Sequence, residues 1–111
     1  MEIPVVTNVL KLNDELAALN RETLRQANAF TVDLMGSPGS GKTQLLEATL
    51  SRLEGHLRVA VCVGDLTSTR DADRLSSHCD HVVQINTGKG CHLDANQVRQ
   101  SLTRLPLDEL D

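Results

Sequence analysis

The chain has 111 residues and a formal net charge of −4, 40% of its residues are hydrophobic, and its one aromatic residue is Phe30. This length is that of a single domain, whose interior must be built from aliphatic side chains, as in a parallel sheet covered by helices. The negative charge argues against nucleic-acid binding, which draws on clustered lysine and arginine side chains.

The N-terminal region lacks the charged-then-apolar order of a signal peptide, and no apolar run is long enough to cross a bilayer. We therefore expect a cytoplasmic protein without a membrane partner. The three cysteines are Cys62, Cys79 and Cys91. In a chain with no export signal, an odd number of cysteines predicts free or metal-bound thiols rather than disulfides.

The first predicted element is a helix over residues 8–27. Its apolar stripe comprises Val9, Leu12, Leu16 and Leu19. Thr7 or Asn8 is the candidate N-cap, and Asn28 is expected to help end the helix. Residues 30–34 alternate between apolar and polar side chains, as a half-buried strand does.

The segment from Gly36 to Thr43 has the pattern G-x-x-x-x-G-K-[ST] at every fixed position. Glycines allow the backbone to fold into a concave loop of N–H donors around phosphate oxygens. Lys42 is expected to contact the outer phosphates, and the Thr43 hydroxyl suits Mg²⁺. The predicted phosphate-binding residues are Gly36, Ser37, Pro38, Gly39, Ser40, Gly41, Lys42 and Thr43. A predicted strand before this loop and a predicted helix from about Gly41 favour a nucleotide triphosphate site over a chance glycine-rich turn.

Strands and helices continue to alternate after the phosphate loop. The predicted elements are a strand over Arg58–Val63, a short helix over Asp71–His78 and a strand over His81–Ile85. A last helix is expected to have Asp94 as its N-cap and to end at Pro106. Its inward residues should be Ala95, Val98, Leu102 and Leu105. After the N-terminal helix, this βαβαβα order predicts an α/β fold with a mainly parallel sheet.

Asp65 follows the second predicted strand directly, at the carboxyl edge where open α/β sheets bind ligands. Its carboxylate could reach Mg²⁺, a water bound to that ion, or the attacking water. The alternative is that Asp65 and Asp71 only form turns and caps, as aspartate often does. The residues alone leave both interpretations open.

The segment Asn86–Asp94 contains an adjacent thiol and imidazole, Cys91 and His92. This pair of ligand types favours Zn²⁺ or Ni²⁺. One pair cannot complete a tetrahedral shell, but two chains related by a two-fold axis could, so a metal here implies a dimer. Spacing alone favours an ordinary buried thiol beside a capping imidazole.

A second group of candidate metal ligands is the run His78-Cys79-Asp80-His81. This run falls on a predicted helix-to-strand turn, where polar side chains are expected for local reasons. A solvated turn is therefore the favoured interpretation of these residues.

These motifs together resemble the hydrogenase nickel-incorporation GTPase family, HypB. The segments that carry the resemblance are Gly36–Thr43, Gly64-Asp65 with Asp71, Ala72 and Arg74, and Val83–Ala95. The resemblance runs from Asn8 to Leu105. It implies a P-loop NTPase three-layer fold, with residues 1–28 as an N-terminal helix and 29–111 as the N-terminal half of a GTPase domain.

The resemblance also implies a function. A member of this family binds and hydrolyses GTP with Mg²⁺ and delivers nickel to the large subunit of a [NiFe]-hydrogenase, together with a partner nickel chaperone. Carried over to this chain, Lys42 and Asp65 are the catalytic residues, and Thr43 and Asp65 serve Mg²⁺. Cys91 and His92 bind Ni²⁺ or Zn²⁺ at the interface of a GTP-dependent homodimer.

Three alternatives to this function stay open at this stage. The chain could be a truncated nucleotide-binding module without turnover, because it stops where the family would enter the second half of its GTPase domain. The guanine-reading N-K-x-D segment of that half does not occur in it, so guanine specificity rests on the resemblance. It could belong with the urease nickel-accessory GTPases, the nearest relatives of the family. A small-molecule P-loop kinase would instead prefer ATP and would not depend on Cys91 or His92.

Overall fold

A computed structural model describes residues 5–36, 39–64, 70–85 and 93–111, with only the backbone described at 5–9 and 70–72. The elements are α1 (Val5–Gln26), α2 (Lys42–Leu53), β1 (Ala60–Gly64), α3 (Arg70–Ser76), β2 (His81–Ile85), α4 (Ala95–Leu102) and a 3₁₀ turn (Leu107–Glu109). β1 and β2 are parallel neighbours, with Ala60 opposite His81 and Gly64 opposite Ile85. The predicted α/β class, with a parallel sheet and an N-terminal helix, is confirmed.

The main core lies between the sheet and the helices that flank it in sequence. Its buried residues are Leu50 from α2, Val61 from β1, Leu75 from α3 and Cys79 from the turn before β2. Leu46, Val59, Val63 and Val82 pack against them. Burial of one such aliphatic side chain stabilises the fold by about 1.5–3 kcal/mol, so this cluster holds α2 and α3 against the sheet.

The strand predicted over residues 30–34 is wrong, because these residues are not in a strand. Phe30 is 86% exposed and Val32 is 72% exposed. The Asp111 N–H donates to the Arg58 carbonyl oxygen at 2.9 Å, and the Phe30 N–H donates to the Asp111 main-chain oxygen at 2.9 Å. Asp111 therefore lies between Phe30 and the segment leading into β1. The alternating pattern is suited to a strand, but a strand also needs a neighbour along its length, and within the described ranges only β1 and β2 pair.

The N-terminal helix exists as predicted, but its start and its buried face differ. It begins at Val5, so Thr7 and Asn8 lie inside it and do not cap it. It ends at Gln26, and Asn28 adopts the left-handed conformation (φ 57°) that commonly ends helices. The predicted stripe is only partly covered, since Leu12 and Leu19 are 56% and 51% exposed. The most buried described residue of α1 is a polar one, Asn20.

The remaining boundaries agree closely with the predictions, except at the end of α4. β2 has the predicted bounds, β1 and α3 are shifted by a few residues, and Asp94 is the N-cap of α4. α4 ends at Leu102, so Leu105 lies outside it. The Leu105 N–H bonds to the Leu102 carbonyl oxygen in a tighter turn. Pro106 explains this ending, because a residue before proline is disfavoured in the α-helical region.

None of the helices in the described ranges is both long enough and apolar enough to cross a lipid bilayer.

Candidate functional site

The predicted phosphate loop leads directly into α2. Gly39 and Gly41 have φ values of 81° and 97°, in the left-handed region. An L-residue adopts this conformation at a cost of about 1–2 kcal/mol, whereas glycine does so freely. Backbone of this kind turns successive N–H groups toward one point and forms a concave anion site. The glycines at these positions are therefore explained by the shape that a phosphate requires.

Gly36, at the other end of the loop, lies against the residues that close it. A Cβ atom at Gly36 would be 2.8 Å from the Ser40 Oγ and 3.3 Å from the Lys42 Cγ and Cδ. The Lys42 ammonium donates to the Gly36 carbonyl oxygen. Because a phosphate oxygen is a charged acceptor and this carbonyl is neutral, a bound nucleotide would compete for the same ammonium group.

The first turn of α2 has the features of an anion site. Its N-cap is Gly41, which has no side chain to occupy the helix's initial N–H groups. The first backbone bond of the helix runs from the Leu45 N–H to the Gly41 oxygen at 3.0 Å. Free N–H groups and the positive end of the helix dipole favour a negative ligand here. Thr43 lies in this first turn and is half-buried. The described residues of the loop thus fit a nucleotide phosphate.

Five of the predicted site residues lie outside the described residues. These are Ser37, Pro38, Asp65, Cys91 and His92. The strands that precede the last three are described: β1 ends at Gly64, β2 ends at Ile85, and these two residues are opposite each other in the parallel register. The segments expected to carry Asp65 and the Cys91–His92 pair therefore leave adjacent strands at the same edge of the sheet, where α/β proteins bind ligands.

The helix that follows Cys91 and His92 begins in a complete capping box. The Asp94 Oδ1 accepts from the Gln97 N–H at 2.7 Å, and the Gln97 Oε1 accepts from the Asp94 N–H at 3.0 Å. A third N–H of this helix start, that of Ala95, donates to the Asn13 Oδ1 at 2.8 Å. The start of α4 is thus occupied by the protein itself and is not an anion site.

Sequence reasoning missed the two asparagines of α1 that contact α4. Asn13 accepts from the Ala95 N–H, and Asn20 donates its side-chain amide to the Ala95 carbonyl oxygen at 2.9 Å. The sequence did contain a sign of this contact, because Asn13 and Asn20 are two helical turns apart, at about 3.6 residues per turn, within an otherwise amphipathic helix. That spacing puts both residues on one face, but the pattern does not say which element the face contacts.

An ion pair between α2 and α3 was also missed. The Arg74 Nη2 lies 2.9 Å from the Glu47 Oε1, with both side chains partly exposed. This pair joins the helix that follows the phosphate loop to the helix that follows Asp65. Exposed pairs of this kind contribute at most about 1 kcal/mol, so its main effect is on the relative placement of the two helices.

The run His78-Cys79-Asp80-His81 forms the predicted helix-to-strand turn. Cys79 is the exception to its solvated character, because it is 8% exposed and its thiol donates to the Val59 carbonyl oxygen at 2.9 Å. Burial raises the pKa of the Cys79 thiol, so the reactive thiolate is disfavoured. Within the described part of the chain, no group of three or more His, Cys, Asp or Glu side chains is arranged to hold a metal ion.

The sequence matches a known nucleotide-binding family. The profile of the CobW/HypB/UreG nucleotide-binding domain matches residues 30–111. Over 109 residues, the chain is 40% identical to the probable hydrogenase maturation factor HypB of Methanocaldococcus jannaschii, covering 98% of this chain and 49% of the relative. Over 107 residues, it is 42% identical to the hydrogenase maturation factor HypB of Escherichia coli, covering 96% of this chain and 37% of the relative.

Solved structures agree with this match. HypB from Helicobacter pylori, in complex with nickel, aligns with a TM-score of 0.79 and 36% identity over 89% of this chain and 47% of its own. HypB from Archaeoglobus fulgidus aligns with a TM-score of 0.79 and 37% identity over 88% of this chain and 48% of its own. The predicted P-loop NTPase fold is thereby confirmed.

The chain spans about half, or less, of the length of these relatives. The family profile nevertheless covers most of the chain, and the phosphate loop has the geometry that a nucleotide-binding family requires. The relatives and solved structures named above are HypB proteins, and the chain belongs to the CobW/HypB/UreG nucleotide-binding family.

Proposed function

We propose that this chain forms part of a cytoplasmic nickel metallochaperone that binds and hydrolyses GTP during [NiFe]-hydrogenase maturation. Residues 29–111 supply the N-terminal half of its GTPase domain, and residues 1–28 supply the helix that precedes it. The active form is a homodimer that acts with a partner nickel chaperone on the hydrogenase large subunit. Family membership and the geometry of the phosphate loop support this proposal.

The observation that carries the proposal is the start of α2. Gly41 is in the left-handed conformation, α2 begins at Lys42 without a side-chain cap, and the Lys42 ammonium lies across the loop on the Gly36 oxygen. Together these features offer a ligand a helix start without a side-chain cap and a positively charged ammonium group. A chain of phosphates is the ligand that matches both.

Phosphoryl transfer to water needs positioning and charge neutralisation more than a covalent protein nucleophile. In this proposal the loop residues 36–43 hold the β- and γ-phosphates, and Lys42 neutralises charge on the outer phosphate. Thr43 and Asp65 hold Mg²⁺ or orient water. When bound, Mg²⁺ neutralises further charge on the phosphates.

The nickel ion is the cargo of the proposed protein, and Cys91 and His92 are its proposed ligands. A thiolate with an imidazole suits Ni²⁺ and also Zn²⁺. One Cys-His pair from each chain of the dimer would supply four donor atoms. Since both groups must lose their protons to bind metal, metal affinity should fall as the pH is lowered.

Equilibrium binding of Ni²⁺ and Zn²⁺ to the purified chain, with and without GTP and Mg²⁺, tests the proposal. The molar mass of the complex is followed by light scattering. We expect one metal ion for two chains and tighter binding with GTP. The variant Cys91→Ala should lose this binding. Cys62→Ala is the matched control, because Cys62 lies in β1, is only partly buried, and has a sulfur that accepts from the Ser101 hydroxyl at 3.3 Å.

Unchanged metal binding by Cys91→Ala would contradict the proposed metal site. Competition between GTP and ATP for the phosphate loop tests the nucleotide. A preference for ATP would contradict the GTPase assignment and favour a small-molecule kinase, although the relatives named above are maturation factors.

A further inference from the structure

Two side chains of α1 form hydrogen bonds with the backbone of a single residue in α4, one with its N–H and the other with its carbonyl oxygen. The Asn13 Oδ1 accepts from the Ala95 N–H at 2.8 Å, and the Asn20 Nδ2 donates to the Ala95 carbonyl oxygen at 2.9 Å. Ala95 is the first residue of α4 and is 8% exposed. Both polar groups of its backbone are therefore bound by another helix.

Asn20 is a costly residue to place at this interface unless its amide is fully bonded. It is 5% exposed, and its Oδ1 accepts from the Arg99 Nη1 at 3.4 Å while its Nδ2 bonds to Ala95. A buried amide with both ends bonded permits one arrangement of the two helices, because a shift along the interface would leave these groups without partners. An aliphatic residue at position 20 would pack without such a requirement.

The contact lies close in sequence to the proposed metal ligands. Cys91 and His92 precede Asp94 and Ala95 by only a few residues. The capping box of Asp94 and Gln97 orders the first turn of α4, and the two asparagines join this turn to α1. The segment that carries Cys91 and His92 therefore leads into a helix start that is bonded to α1.

We propose that Asn13 and Asn20 are positioning residues for the metal-binding pair Cys91–His92. The inference rests on the proposed function, because it takes these two residues as the metal ligands. The asparagines fix the position of the first residue of α4. We infer that this lowers the conformational entropy that the segment carrying Cys91 and His92 loses when an ion binds. Binding to a segment that is already held costs less ordering and is correspondingly tighter.

The test uses the full chain with Ni²⁺ as the probe. Asn13→Ala removes the acceptor for the Ala95 N–H, and we expect Ni²⁺ affinity to fall about 5- to 10-fold, with a weaker Ni²⁺–thiolate absorption band. Asn13→Asp retains an oxygen acceptor at this helix N-terminus and should restore affinity to within about twofold of the parent chain. Asn96→Ala is the matched control, since Asn96 is an exposed asparagine in the same first turn of α4.

Two further measurements separate positioning from a general loss of folding. Affinity for Mg²⁺–GTP should be unchanged in Asn13→Ala, because the phosphate loop leads into α2 and is not part of the α1–α4 interface. Far-ultraviolet circular dichroism should show the parent helix content. If Asn20→Ala, at the more buried position, does not fold, the Asn13 series decides the question alone.

The outcomes distinguish this inference from the proposed function. If Cys91→Ala loses Ni²⁺ but Asn13→Ala binds it as the parent does, the positioning role is wrong and the proposed function stands. Equal losses of Ni²⁺ and nucleotide affinity in Asn13→Ala, not restored by Asn13→Asp, would also overturn the positioning role. If Cys91→Ala binds Ni²⁺ normally, the proposed metal site is wrong, and this inference is wrong with it.

Discussion

The starts of α2 and α4 are built in opposite ways. α2 begins after Gly41, a left-handed residue with φ 97° and no side chain, so its first N–H groups receive no cap from that position. α4 begins after Asp94, where a capping box and the Asn13 side chain occupy the N–H groups of Asp94, Ala95 and Gln97.

The two helix starts differ in how the first backbone N–H groups obtain hydrogen-bond acceptors. Every helix starts with N–H groups that lack partners within the helix. At α4 the protein supplies the partners, and one of them is a side chain of α1, so the two helices are hydrogen-bonded to each other. At α2 it supplies none from the N-cap, and this is where we propose that a phosphate binds. The first arrangement joins two helices, and the second suits an anionic ligand.

Among the variants that test this comparison, Lys42→Ala is expected to have the largest effect. It removes the ammonium group that lies across the loop at the start of α2, and a hydrogen bond to a charged group contributes about 1.5–3 kcal/mol. We expect the affinity for Mg²⁺–GTP to fall about 10- to 100-fold by isothermal titration calorimetry. The control Lys11→Ala removes the same charge from the exposed surface of α1. Equal losses in the two variants would indicate a general charge effect and would contradict a phosphate site at α2.

Gly41→Ala and Gly55→Ala form a matched pair that separates backbone shape from binding. Both glycines have positive φ values, 97° and 82°, and a Cβ at either position would have no atom of the described residues within 4 Å. Each substitution should therefore lower the free energy of unfolding by about 1–2 kcal/mol in urea titrations. Only Gly41→Ala should also weaken nucleotide binding. If both variants bound nucleotide alike, the left-handed turn before α2 would not be part of the site.

Asp94→Ala tests the other side of the comparison. Loss of an N-cap side chain lowers stability by about 1 kcal/mol, and we expect a shift of that size in chemical unfolding. The affinity for Mg²⁺–GTP should not change. A fall in nucleotide affinity would mean that the two helix starts are not independent, and that the α4 cap also supports the phosphate loop.

We expect the contact between Asp111 and Arg58, which lies beside the start of the segment leading to the phosphate loop, to depend on pH. Hydrogen bonds from the Arg58 side chain, and then from its backbone N–H, lower the pKa of the exposed Asp111 carboxyl. Because the folded-state pKa is the lower one, this stabilisation is present above the ordinary pKa of aspartate and is lost as the pH falls through the lowered value. The main chain of the same residue bonds to Phe30, at the start of the segment that leads to the loop.

The expected pH effect is the smallest of the four. The melting temperature of the parent chain should exceed that of Asp111→Asn at neutral pH, and the difference should disappear in strong acid. Asp108→Asn, an exposed residue of the same C-terminal segment, is the control. A difference that persisted in strong acid would show that the carboxylate charge is not what holds Asp111 to Arg58.

Local features were predicted well and long-range contacts were not. The end of α1 at Asn28 and the Asp94 cap each depend on residues within a few positions of one another, and the described residues agree with both. Gly39 and Gly41 have the positive φ values that the predicted phosphate loop requires. The strand predicted over 30–34 was wrong because an alternating pattern does not supply a partner strand. Asp111, distant in sequence, lies between Phe30 and the segment leading into β1.

The sequence by itself determined the α/β class and the nucleotide-binding family, and it predicts the place of the phosphate loop. Glycine spacing, hydrophobic period and capping residues act over one or two turns of chain, so they can be read in order. Only the tertiary structure decided that Asn13 and Asn20 hold the start of α4 and that Cys79 faces the core. These contacts depend on which faces of distant elements meet, and that choice is made by the packing of the whole chain.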